Sequence, residues 1–252
     1  MSALAVIPTT RDEDWRYADS AVLPTLAPDA LANWQKEDLA AGETRRVTMV
    51  VGSDQPELRR IRIAVGEGAR AELFAVNNGN AYTRVEVEVR LAKGAHFEFG
   101  GVTIGGGDAV REFVTRVDHA EPEATSSQIV RAVHWGRATG NFLGRIEVAR
   151  DAQQTDAEQN FRAILLEKGA SANTKPELEI FADDVKCAHG AAIGQLDQQA
   201  AFYMAARGLP PEIARKLQVQ AFVADAFTAM GEDEDAQRLL DVALATLGEA
   251  AL

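Results

Sequence analysis

The segment Val185-Lys186-Cys187-Ala188-His189-Gly190 holds the only cysteine of the chain, two residues before a histidine. In an extended strand, residues two apart project from one face, with side-chain origins about 6–7 Å apart. A thiolate and an imidazole at that spacing suit iron or zinc, and equally a nucleophile with its base. Cys187 also reads as a small buried hydrophobe, and spacing alone leaves these readings open.

Ligand counting narrows the first reading. An iron–sulfur cluster usually takes four protein ligands, and this segment offers two. Any cluster here must borrow ligands from another polypeptide. A cysteine hydrolase would instead need an orienting third group and an oxyanion hole. Asp183 and Asp184 are close in sequence, but read as the turn that ends a strand.

The remaining histidines read as structural. His96 shares alternation with Glu98 and belongs on a solvated strand face; His119, beside Glu121 and Pro122, falls in a turn. His134, between Val133 and Trp135, reads either as a satisfied, partly buried residue or as a site member, with the structural role favoured. The chain has no G-x-x-x-x-G-K-[ST] loop, no G-x-S-x-G elbow and no H-E-x-x-H pair. Gly105-Gly106-Gly107 follows a strand but has no lysine after it, so it reads as a flexible turn.

Composition closes further classes. The chain has 252 residues, 46% hydrophobic and 25% charged, as expected of a globular protein. Its net charge of −12 disfavours nucleic acid and anionic membrane surfaces, both of which attract basic footprints. No apolar run approaches the roughly 20 residues of a membrane span. The start, Met1 to Trp15, carries no basic region before its apolar stretch, so no secretory signal is expected. These features predict a cytoplasmic protein.

Three zones must position the Cys-x-His segment. Residues 1–42 form a short irregular segment punctuated by Pro8, Pro24 and Pro28, with one short helix expected over Asp29 to Leu39. Its acidic, aromatic stretch Arg11 to Tyr17 has little stability of its own. Residues 43–194 alternate with period two: Ile61, Ile63 and Val65; Val85, Val87, Val89 and Leu91; Ile146 and Val148; Phe161, Ala163 and Leu165. Three similar Gly-Ala corners, at Gly68-Ala69, Gly94-Ala95 and Gly169-Ala170, follow strands. Recurring corners between short strands predict the stacked coils of a β-solenoid, with a sandwich as the competing arrangement.

Residues 195–252 are helical. Asp197 caps a helix stopped by Gly208, and Pro210-Pro211 opens a second with the stripe Val219, Phe222, Val223, Ala226, Phe227 and Met230. Acidic residues 232–235 start a third, whose apolar face is Ala236, Leu239, Leu240, Ala243 and Leu247.

The string from Pro176 to Ala191, followed by Ile193 to Asp197, Phe202-Tyr203 and Arg207-Gly208, resembles the SufB/SufD family of the SUF iron–sulfur cluster assembly machinery. Asn141 to Ile146, Thr155 to Asn160 and the early Glu13-Asp14-Trp15-Arg16-Tyr17 also match its pattern. Gly190 after the histidine looks like the SufD form, because SufB-like sequences tend to place a glutamate there. The resemblance implies a mainly β protein: a right-handed parallel β-helix followed by a small C-terminal α-helical domain. It also implies a non-catalytic scaffold subunit that pairs with SufB as a heterodimer and carries the SufC ATPase on its C-terminal helices.

Carried over, Cys187 and His189 become cluster-site and metal residues at the SufB interface, shared with SufB. A transient iron–sulfur cluster or iron is then the cargo, with no tightly bound cofactor expected in the isolated chain. Phe202, Tyr203, Arg207, Arg215 and Phe222 are the expected SufC contacts, although the stripe around Phe222 also suits core packing. A homodimer is expected as a possible state of the isolated chain. The competing functions are a β-helical enzyme acting on polysaccharide, opposed by 6% aromatic content, and a plain homodimeric interaction module. The region before the β zone is shorter than the helical N-terminal domain typical of the family, so that domain's roles are not carried over. Ala192 stands where the family commonly has threonine.

Overall fold

The computed structural model describes residues 7–248, so the first six residues of the N-terminal segment and the last four of the helical region lie outside the described residues. Twelve strands form two six-stranded, all-parallel sheets. One sheet runs β1 (Gln35–Leu39), β3 (Glu57–Val65), β5 (Thr83–Leu91), β7 (Val110–His119), β9 (Thr139–Val148) and β11 (Ser171–Ile180). The other runs β12 (Val185–Gly194), β10 (Thr155–Leu165), β8 (Thr125–His134), β6 (His96–Gly105), β4 (Arg70–Asn77) and β2 (Thr44–Val51). Successive strands alternate between the sheets, so the chain winds a parallel β-solenoid of six coils. The repeat lengthens along the axis: Gln35 pairs with Ile61, 26 residues on, whereas Thr139 pairs with Ser171, 32 residues on.

Corner geometry explains the recurring turns. Gly42, Gly68 and Gly94 have φ of +71°, +61° and +62°, and Glu123 and Gln154 continue the same left-handed position at +64° and +62°. Each donates its N–H to the next coil, as Gly68 does to Lys93 O at 2.9 Å and Gly94 to Pro122 O at 3.0 Å. A corner stack of this kind favours glycine because a Cβ is strained at positive φ. Gly169 lies on the opposite corner, beside Gly136. The three similar turns of the sequence therefore belong to two corner stacks.

The interior is filled by the inward rows, including Val85, Val87, Val89, Phe97, Phe99, Phe113, Phe142 and Phe161. Phe99 meets Phe113 edge-on at 5.4 Å, and Phe142 stacks with Phe161 at 5.9 Å. Each fully buried ring stabilises the coils by about 1.5–3 kcal/mol.

The short helix expected over Asp29 to Leu39 is cut to α1 (Pro28–Ala32), and Gln35–Leu39 pairs with Ile61–Val65 instead. The local helix propensity of Lys36, Glu37 and Leu39 is outweighed by a full parallel ladder and the burial of Leu39. The first coil thus begins at Gln35. The preceding segment lies on the outer face of the β1-containing sheet. There Trp15, Leu23, Leu26 and Leu31 form a cluster with Tyr82, and Trp15 covers the guanidinium of buried Arg84 at 3.8 Å.

The C-terminal helices cover the outer face of the β12-containing sheet. α2 (Gln198–Ala206) starts at Asp197, whose carboxylate accepts from the N–H groups of Gln199 and Ala200. α3 (Pro211–Ala224) passes into a 3-10 helix (Asp225–Met230) that ends at Gly231, and α4 (Glu234–Leu247) follows with Asp233 as its cap. Val219, Val223, Phe227, Leu239, Ala243 and Leu247 pack on Phe74, Val102, Ile104 and Val133. Gly100 permits this contact: a Cβ there would stand 2.0 Å from Ala226 O. Strand β8 is therefore buried on both faces, with Ile129 and Val133 turned to the helices rather than the interior.

Candidate functional site

Cys187 and His189 both lie on β12, the terminal strand of its sheet, which pairs with β10 alone. Cys187 is in register with Ala157 and His189 with Gln159. Ala157 and Gln159 are buried inward-facing residues, so both donors turn to the interior side of the last coil. Among the described residues no seventh coil stacks over them. Cys187 is half-buried beside Ile146, Val148 and Ala152, while His189 is exposed. Beneath His189, the next two strands carry Gln159 and Gln128 in the same register, both buried.

Burial pushes the Cys187 thiol up, and the charge of Asp156 adds to the shift. The thiol is thus protonated at neutral pH and would lose its proton on binding a metal. Among the described residues no group of three or more His, Cys, Asp or Glu side chains is placed to hold a metal ion. Cys187 and His189 offer two donors on an open strand edge, where donors of a second chain could complete a set. Asp183 and Asp184 close the turn before β12, where the Asp184 N–H donates to Gln153 Oε1 at 2.9 Å.

The other histidines are held by the fold. His96 sits half-buried on the outer face, 2.7 Å from Thr125 Oγ1 and 3.3 Å from Glu98. His134 is fully buried between Gly105 O and Thr103 Oγ1, both at 3.1 Å. His119 ends β7 rather than lying in a turn, and is fully buried with Nε2 3.0 Å from Ser126 Oγ. Its inward position follows from the alternation of Thr115 and Val117, which extends two residues further than the nearby proline suggests.

The five expected docking residues separate into exposed and packed groups. Phe202 and Tyr203 on α2 are 78% and 57% exposed, and the Arg207 guanidinium lies 4.8 Å over the Tyr203 ring. α2 buries none of its residues despite the sequence Ala-Ala-Phe-Tyr-Met-Ala-Ala. Ile193, Ile213 and Leu217 are further exposed apolar residues on β12 and α3. Arg215 is half-buried and makes contacts of its own. Phe222 packs partly buried against the helix–sheet core, 5.8 Å from the Arg131 guanidinium.

Two features carried no isolated sequence signal. One is the buried group of Arg84, Glu112, Tyr82 and Asn141 under Trp15, in which Arg84 Nη1 is 3.2 Å from Glu112 and Tyr82 donates to the same carboxylate at 2.7 Å. The other is Arg131, which joins β8, β10 and the 3-10 helix. Both depend on contacts between residues far apart in the chain.

Six parallel coils, a terminal strand bearing Cys-x-His and a helical cover on one sheet define a parallel β-solenoid whose last strand has an uncovered edge among the described residues. Comparison with known proteins agrees with this class. Residues 43–222 match the family described as SUF system FeS cluster assembly, SufBD core domain. An iron–sulfur cluster assembly SufBD family protein of Synechocystis sp. is 33% identical over 193 residues, covering 75% of this chain and 43% of that protein. The iron–sulfur cluster assembly protein SufD of Escherichia coli is 34% identical over 126 residues, 50% of this chain and 30% of that protein. SufD of Bacillus subtilis is 26% identical over 188 residues, 75% and 41%. The chain belongs to the SufBD family of iron–sulfur cluster assembly proteins. It spans less than half the length of these three relatives.

Proposed function

We propose that this chain is a SufD-type, non-catalytic scaffold subunit of an iron–sulfur cluster assembly complex, pairing with SufB and carrying the SufC ATPase. One observation carries the reading: a thiol and an imidazole stand on the terminal strand, whose other edge pairs with no strand among the described residues and is open to ligands from a neighbouring chain. SufB would lie along this edge, and a nascent cluster, or iron on its way to one, would be held between the two subunits. The cluster is cargo, passed on once built. Cys187 would meet it as a thiol that loses its proton to metal binding, and His189 as a solvent-facing nitrogen donor or proton acceptor.

SufC would dock on the exposed surface of α2, where Phe202, Tyr203 and Arg207 offer apolar area and a positive charge. Arg215 and Phe222 would support that surface from α3. No helix among the described residues is long and apolar enough to cross a membrane, and a cytoplasmic location accords with this assembly role. In the absence of SufB, the same open edge would let two copies of the chain pair.

Co-expression with SufB and SufC tests the assignment. A tagged chain is expected to retain both through size-exclusion chromatography. A chain that elutes alone, with neither partner, would contradict the scaffold role.

A further inference from the structure

Arg131 projects from the outer face of β8 and is 3% exposed. Its Nη1 donates to Asn160 Oδ1 at 2.9 Å, to Asn160 O at 3.2 Å and to Val130 O at 2.9 Å. Its Nε donates to Asp225 Oδ2 at 2.8 Å, and Nη2 reaches the same oxygen. Phe222 covers the guanidinium from α3. One planar cation therefore holds strand β10 with one side and the first residue of the 3-10 helix with the other.

Asn160 leads on to the Cys-x-His strand. It is in register with Gly190, the residue after His189, and a Cβ at Gly190 would stand 3.2 Å from Asn160 Nδ2. The absence of a side chain at Gly190 keeps the Asn160 amide free to face Arg131. Asp225 is the only carboxylate that Arg131 touches among the described residues. Moving the helical segment away would break this ion pair and uncover the guanidinium, leaving it with the Asn160 and Val130 oxygens and water. The helical segment, Arg131, Asn160 and β12 are thus tied in one contiguous path.

We infer that Arg131 is a positioning residue, coupling the placement of the C-terminal helical segment, through Asp225 and Asn160, to the strand that presents Cys187 and His189. Its use in cluster assembly rests on the proposed function; the coupling itself does not. A second ion pair gives an internal control. Arg46 Nη1 bonds Asp233 at 2.6 Å and ties the same helical region to β2, at the opposite edge of the sheet.

The test uses the full chain and reads amide hydrogen exchange across Val185–Gly194 together with the alkylation rate of Cys187. Asp225→Ala removes the only carboxylate partner of Arg131 among the described residues, at a half-exposed position, so urea unfolding is followed in parallel and the rates are compared under conditions where the variant is folded. Asp225→Ala and Asn160→Ala are each expected to raise both rates at least about threefold, and the double variant to raise them no further than the larger single effect. Asp233→Asn, which keeps a capping residue at the start of α4, is expected to leave β12 at the wild-type rates. Wild-type rates in Asp225→Ala would overturn the coupling, as would a double variant equal to the product of the singles. Neither readout involves a partner or a cluster, so a flat result removes the coupling and leaves the scaffold role standing.

Discussion

Cys187 stands in register with Ala157 across the last ladder of the solenoid, which fixes its sulfur on the inward side of an edge that no further coil covers among the described residues. Its neighbour two residues on, His189, shares that side but is exposed to solvent. Half-burial lets the fold hold the thiol in place, and the open edge lets another chain reach it. A site completed by a second subunit needs both conditions. The rest of the molecule fixes the position of this edge, through the phenylalanine-filled interior and the helical cover.

Two fully buried arginines are expected to respond in opposite directions. Arg84 is paired with Glu112 and covered by Trp15, so Arg84→Met strands a buried carboxylate and should destabilise by about 3 kcal/mol or more. Arg111 has no hydrogen-bond partner for its guanidinium among the described residues, and burial pushes it down to about 10. Arg111→Met should therefore stabilise, by about 1–2 kcal/mol. Urea unfolding of both variants checks this, and a loss of stability in Arg111→Met would show that its charge has a role the fold does not account for.

Acid should weaken the solenoid through its buried histidines. Burial pushes His119 down to about 4; burial and the charge of Arg111 push His134 down to about 3. Both folded values lie below the unfolded value near 6.5, so the stabilisation is complete above that pH and is lost as pH falls toward 4 and 3. Between pH 7 and pH 5 each should remove about 2 kcal/mol. His134→Gln should lessen the fall in urea midpoint between these pH values; a variant as pH-sensitive as the wild type would exclude His134 as a source.

The exposed face of α2 is testable without any cluster chemistry. Tyr203→Ala and Arg207→Ala remove the two halves of one cation–π contact on an otherwise uncovered helix. Each should weaken SufC retention in a pull-down by about tenfold, with melting temperature unchanged. Full retention would move the docking surface elsewhere.

The regular parts of this fold were legible because they repeat. Alternation at Val85, Val87 and Val89 marked an inward row, and the Gly68 and Gly94 corners marked the turns between coils. The helix limits at Asp197, Gly208 and Pro211 followed from local backbone preferences that no distant contact had to override. Parallel stacking was harder to see, because a repeat that grows from 26 to 32 residues has no fixed period. The strand Gln35–Leu39 was hidden by its polar composition, since only Leu39 is buried. Likewise the two-faced burial of β8 has no local signal, because the helices that cover Ile129 and Val133 lie far along the chain.

The Cys-x-His pair was visible from residue types alone, but its openness was not, because that depends on β12 being the last strand. The family pattern around Asn141 to Asn160 drew notice to a region that contains Asn160 without revealing its contact with Arg131. Trp15 likewise stood out in its acidic stretch, while the arginine beneath it is an ordinary outward residue of an alternating strand.

The central claim is most directly tested by anaerobic reconstitution of the co-expressed complex with iron and sulfide, comparing the wild type with His189→Ala by visible absorption and bound iron. His189 is exposed, so its removal should leave the fold and the complex intact. The expected result is a complex that still forms but assembles little or no cluster. Normal cluster assembly by the variant would contradict the shared site and leave this chain a structural spacer beside SufB.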